Sequence, residues 1–154
     1  MKQKNYQNLT KNTLGKLPVW NLKDLYESPK AKNLNNDLNQ LRRITKKFEK
    51  KYTFKITKLS SNQLLKAIIE LENIDIKIDK IMSYAHLLVA EDGNNEKNKI
   101  FYQQMQEQIT NIASSIVFFS LELNEISEAK LNKIYADNKF CLLYTSPSPR
   151  DLST

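Results

Sequence analysis

The sequence predicts an all-α fold: an antiparallel bundle of about four helices, two of them long, preceded by an extended N-terminal arm. Two observations carry this expectation. Apolar residues recur at intervals of three and four over three long stretches, the mark of a buried helix face. Only 2 glycines and 4 prolines punctuate the 154 residues, too few for the turns of a β-sandwich or barrel. The length fits one domain, and 40% hydrophobic residues suffice for a core.

The elements follow in order. Residues 1–16 are polar, rich in Lys and Asn, and without periodicity, as expected of an arm. Pro18 biases Leu17 toward extended geometry, and Trp20, Leu22, Leu25 and Tyr26 form an apolar group that should dock on the bundle. Residues 1–26 are therefore read as arm and docking segment. Ser28-Pro29 reads as a helix start, Ser as N-cap and Pro at the first position. Leu34, Leu38, Leu41, Ile44, Phe48 and Tyr52 supply the stripe of that first helix.

Ser60 and Gln63 make a capping box, and Leu59 and Leu64 a hydrophobic staple, at the start of a second helix. Its stripe runs from Leu64 through Ile68, Leu71, Ile74, Ile78, Ile81 and Ala85 to Leu88. That stripe outweighs the strand-like alternation of residues 73–79. Gly93 suits a left-handed cap at the end. A third helix carries Phe101, Met105, Ile109, Ile112, Ile116, Phe119 and Leu123. A fourth begins at Ser127, stapled by Ile126 and Leu131. Short connections make neighbouring helices antiparallel.

Several functional classes have no support in the residues. No apolar run approaches the ~20 residues of a membrane span, and the polar N-terminus has no signal-peptide core. A single cysteine, Cys141, allows no internal disulfide, which fits a reducing cytoplasm. Two glycines cannot form a phosphate-cradling loop. His86 is the only histidine, so a zinc site would need carboxylates for every other ligand; it reads as a helix residue. Glu70, Glu72, Asp75 and Asp79 alternate with Lys66, Lys77 and Lys80, as a solvated face does. No catalytic, cofactor-binding or metal-ligating residue is expected in this chain.

The net charge is +7, and Arg42, Arg43, Lys46, Lys47, Lys50, Lys51, Lys55 and Lys58 crowd into one stretch opposed only by Glu49. Phosphate binding is the functional reading of such a run, and a small basic module binding nucleic acid or a partner helix is the alternative function it offers. The bland reading is a solvated face. Lys (21), Asn (17) and Ile (14) share A/T-rich codons, so much of the charge follows from base composition. Phe48, Tyr52 and Phe54 read as core and leave no aromatics to stack on bases. Nucleic acid is accordingly not the expected partner.

That composition ends at Phe140. Residues 141–154 contain no Lys, Asn or Ile and hold two of the four prolines. The stretch CLLYTSPSPRD, Cys141–Asp151, resembles one translated frame of a transposon-end sequencing adapter. On that reading residues 141–154 are not native, and residues 27–140 are the helical domain of a longer protein.

Four segments then carry a family resemblance. Leu17-Pro-Val-Trp-Asn-Leu-Lys-Asp-Leu-Tyr26 resembles the LPxWDLSDLY signature of the oligoendopeptidase F family, zinc metallopeptidases related to thimet oligopeptidase. Phe48–Tyr52 is similar to its F..KY, Ser83–Asp92 to its SYAxLLxAxD, and Phe118–Asn124 to its FFTLELN. Asn21 and Lys23 depart from the first signature, and the family's H-E-x-x-H helix does not occur in this sequence. The resemblance implies a cytoplasmic enzyme that hydrolyses short peptides. Zn²⁺ would be held by two His of one helix and a downstream Glu, all beyond the present residues. These helices would form a wall of the substrate channel, binding no metal and having no activity alone.

Overall fold

The computed structural model describes residues 21–136. The arm, with Leu17–Trp20 of the docking segment, and the tail from Cys141 lie outside the described residues. Within them the structure is all-α, with helices α1 (Lys32–Tyr52), α2 (Ser61–Glu91), α3 (Glu96–Ala113), α4 (Val117–Asn124) and α5 (Glu128–Tyr135). Among the described residues no helix is long and apolar enough to cross a membrane.

Cross-helix contacts fix the directions. Lys51 of α1 meets Glu70 of α2, while Asp37 meets Lys80, so the pairing runs antiparallel. Tyr84 of α2 packs on Phe101 of α3, and Asn98 reaches back to the Leu88 carbonyl, so this pair is antiparallel too. The first helix buries Leu34, Leu38, Leu41, Phe48 and Tyr52 from the expected stripe, together with Thr45, while Ile44 is only half-buried. The second helix, about 47 Å long at ~1.5 Å per residue, is helical through residues 73–79 and buries Leu64, Ala67, Ile74, Ile81, Tyr84 and Ala85. Ser60 and Gln63 form the expected box: the Ser60 backbone N–H donates to Gln63 Oε1 at 3.0 Å.

Four expectations need correction. The first helix does not start at Ser28-Pro29. Those residues form a turn closed by the Ala31 N–H on the Ser28 carbonyl (3.0 Å), and the helix begins at Lys32 after an Ala31 cap that offers no side-chain hydrogen bond. The turn lets Tyr26 fold back over α1, where its hydroxyl donates to Asp37 Oδ2 at 2.8 Å. Nor does Gly93 adopt a left-handed cap. The end of α2 is closed instead by side chains: Asn98 Nδ2 takes the Leu88 carbonyl (2.9 Å), and Asp92 Oδ1 accepts the Asn94 N–H (3.1 Å).

The third correction concerns residues 101–123, which do not form one helix. A 3-10 turn at Ser114–Ile116 separates α3 from α4. The Ser114 hydroxyl donates to the Asn111 carbonyl (2.8 Å), a back-bond of the kind that bends helices. The bend carries Phe118 and Phe119 to Phe48, at ring-centroid distances of 6.1 and 5.6 Å. It also delivers Glu122, one of two buried polar residues among those described, to the connection between α1 and α2. There its carboxylate accepts the backbone N–H of Phe54 (2.5 Å) and of Ile56 (3.0 Å). Lys130 of α5 donates to the Thr57 carbonyl of the same connection at 2.6 Å. The fourth correction is Phe54, expected in the core with Phe48 and Tyr52: it has φ 60°, the left-handed region, and the turn leaves 84% of its surface exposed.

A carboxylate accepting two backbone donors at a buried corner should dominate local stability. Glu122→Gln places an amide N–H₂ where an acceptor is needed and should lower the unfolding free energy by about 2 kcal/mol. Glu125→Gln, one helix end away and exposed, should change it by less than about 0.5 kcal/mol. Urea unfolding followed by circular dichroism checks both, and equal effects would show that the clamp contributes nothing.

Candidate functional site

The eight cations of the α1 run do not behave alike. Arg42 donates to Asn39 Oδ1 (3.2 Å) and, across to α3, to Gln108 Oε1 (2.6 Å). Lys51 pairs with Glu70 at 2.6 Å, and that hydrogen bond raises its ammonium pKa. Lys55 turns back on the Lys51 and Lys50 carbonyls. Arg43, Lys46, Lys47, Lys50 and Lys58 are exposed, and their side chains make no hydrogen bond or ion pair among the described residues.

Between α1 and α3 lies a cleft of about 250 Å³, lined by Arg42, Thr45 and Lys46 on one side and Gln108, Asn111 and Ser115 on the other. Thr45 is 1% exposed, and its hydroxyl is the one buried side-chain polar atom of the described residues without a hydrogen-bond partner. Leaving such a group unsatisfied costs about 1–3 kcal/mol. The sequence held a sign of it, because Thr45 stands on the apolar register between Leu41 and Phe48.

On the opposite side of α1, three groups converge. Tyr26, 1% exposed, donates to Asp37, and Lys80 Nζ lies 3.2 Å from the same carboxylate oxygen and 4.5 Å from the Tyr26 ring centroid. Burial, then the Asp37 carboxylate, drives the Tyr26 phenol far above its ordinary value. Burial opposes ionisation of Asp37 as well, but the hydrogen bonds from Tyr26 and Lys80 prevail and hold its carboxyl below the usual range. This arrangement ties the docking segment to α1 and α2. It offers no general base, since its carboxylate is already engaged.

The acidic face of α2 does not assemble a site either. Glu70 is taken by Lys51. Burial raises Asp75, helped by the neighbouring charges of Asp79 and Glu72. His86 is exposed, and its ring lies 6.1 Å from that of Tyr102. Among the described residues no three His, Cys, Asp or Glu side chains gather to hold a metal ion. No family model, curated protein or solved structure matches the chain.

Two stability measurements follow. Thr45→Val keeps the shape and removes the orphan hydroxyl, so it should raise the unfolding free energy by about 1 kcal/mol; a loss of that size would mean that the hydroxyl is satisfied. Asp37 acts with a defined sign. Its folded pKa is depressed, so its contribution is complete above the unfolded value of about 3.9 and is lost as pH falls through the lower folded value. Asp75, raised in the fold, works in the opposite direction, its ionisation opposing folding at neutral pH. Asp37→Asn should lower stability at pH 7 and flatten its decline below about pH 4. Unfolding curves from pH 7 to 2 test this, and an unchanged slope would remove Asp37 from the account.

Proposed function

We propose that residues 27–140 belong to the non-catalytic N-terminal helical domain of a cytoplasmic zinc-dependent oligoendopeptidase that hydrolyses short peptides, the domain serving as a wall of the substrate channel. One observation carries the reading. The four segments that resemble the oligoendopeptidase F family meet in space as two aromatic joints. Tyr26 of the first packs edge-on against Tyr84 of the third, with centroids 5.1 Å apart. Phe48 of the second packs on Phe118 and Phe119 of the fourth.

Other described residues of those segments also serve the scaffold. Asn21 Oδ1 accepts the Lys23 N–H at the head of the short turn Leu22–Asp24. Tyr52 is buried beside Phe48, and Glu122 clamps the α1–α2 connection. A resemblance concentrated on packing positions is what a non-catalytic wall domain would give. The corner also leaves Phe54, Val117 and Leu121 exposed, apolar surface of the kind that another domain covers. On this reading the peptide substrates and the zinc engage residues beyond the present chain.

The gene itself tests the proposal. Long reads of the source DNA across codon 140 should continue in frame, without the CLLYTSPSPRD codons, to an H-E-x-x-H sequence. The complete product should cleave a quenched fluorescent short peptide and lose that activity to a zinc chelator, while the 154-residue chain is inactive. A frame that ends at Thr154 in the genome, or a complete product that leaves such peptides intact, would overturn it.

A further inference from the structure

The side of the α1–α2 hairpin that carries Tyr26 is a groove with an open apolar floor. Asp37 meets Lys80 and Gln40 meets Lys77 (3.1 Å) near its head, and Lys51 meets Glu70 further down. Between these polar rungs lies a cavity of about 330 Å³ lined by Ile44, Phe48 and Ile74, together with Lys47 and Asn73. Ile69 and Ile76, one helical turn from Asn73 on either side, share its face of α2. They are 41% and 64% exposed, so this shoulder of the groove is apolar and uncovered among the described residues.

The described chain begins at the head of the same groove. Tyr26 is buried there against Asp37 and Lys80, and its backbone N–H donates to the Leu22 carbonyl (3.1 Å). The turn Leu22–Asp24 packs on α2. Directly before Asn21 stand Leu17, Pro18, Val19 and Trp20, with no charged group among them. From the level of Lys80 to that of Ile74 is about 9 Å along the helix. Four extended residues reach about 13 Å, and Pro18 favours extended geometry. An indole over Ile76, one turn from Lys80, brings Leu17 level with the cavity. Lys77 gives one ammonium donor to Gln40 and keeps others for the carbonyls of a segment laid across it.

We propose that this groove is the seat of the chain's own segment Leu17–Trp20, with Trp20 over Ile76 and Leu17 in the cavity between Ile44 and Ile74. The segment extends the Tyr26 anchor into a clasp across both long helices, and it seals a face that would otherwise be open to a partner protein. The inference rests on reach and apolar chemistry, and it holds whether or not the reading frame continues past Phe140.

Trp20 is the only tryptophan, so its fluorescence reports on this segment alone. In the 154-residue chain its emission should be blue-shifted and protected from acrylamide, compared with the urea-unfolded chain, at every protein concentration. Ile76→Glu changes an exposed side chain and should abolish both the shift and the protection while circular dichroism stays the same. Ile100→Glu, in the separate cavity beside Ser28 and Pro29, should leave both intact. NMR should show Overhauser contacts from the Trp20 indole to the Ile76 methyls and from Leu17 to Ile44. Emission equal to that of the unfolded chain would leave the groove to another protein and overturn the proposal. Protection that survives Ile76→Glu, that is lost in Ile100→Glu instead, or that grows with protein concentration, the mark of a second copy in the groove, would overturn it as well.

Discussion

The corner between α1 and α2 sets the terms for the rest of the fold. The chain there turns from one long helix into the next, and the turn buries Ile56 completely. Its backbone N–H at Phe54 and at Ile56 has no helical carbonyl to use, and a buried amide left alone costs about as much as a lost hydrogen bond. Glu122 supplies both acceptors. Only a side chain from a separate element can do so, which requires α4 to reach this corner. The 3-10 turn at Ser114–Ile116 redirects the chain, and Phe118 and Phe119 then close on Phe48. One carboxylate thus couples the hairpin of the two long helices to the second half of the domain.

That coupling explains which parts of the fold were legible in the sequence. The stripes of α1 and α2 were, because each is fixed by the 3.6-residue period and by local caps such as Ser60 with Gln63. The break in the third rod was not. Ile112, Ile116 and Phe119 keep helical spacing straight through it, and Ala and Ser are compatible with a helix. The break comes from a long-range demand, the acceptor needed 66 residues away, which no local window contains. Glu122 itself left a trace, as an acidic residue within the apolar run from Val117 to Leu123. The start of α1 was misread for a similar reason. Ser28-Pro29 has good capping chemistry, but the pull of Tyr26 onto Asp37 turns those residues into a connection.

The functional readings divide along the same line. Periodicity identifies a core, and Tyr26, Phe48, Tyr52, Tyr84, Phe119 and Glu122 take its buried positions. Their partners lie far off in sequence, Tyr26 with Tyr84 and Phe48 with Phe119, so segments distant along the chain become two joints of one scaffold. Catalytic chemistry gives no such pattern here. The sole histidine is exposed, and of Glu70, Glu72, Asp75 and Asp79 on α2 the first is already tied to Lys51.

The basic run shows how far composition alone can mislead. Eight cations in 17 residues look like one feature, yet the structure sorts them by what each can reach. Lys51 is spent on Glu70 at a solvent-exposed pair, which adds little stability. Lys55 caps carbonyls at the end of α1, where a cation also complements the helix dipole. Arg42 is fixed by two amide side chains, and only it and Lys46 border a cleft with a buried, unpartnered hydroxyl. A base-composition bias can supply lysines to any exposed face. It does not place Thr45 on the apolar register of α1, where its buried hydroxyl finds no hydrogen-bond partner among the described residues. What distinguishes one cation of the run from the next is therefore the partner its side chain reaches, an amide for Arg42, a carboxylate for Lys51 and helix carbonyls for Lys55.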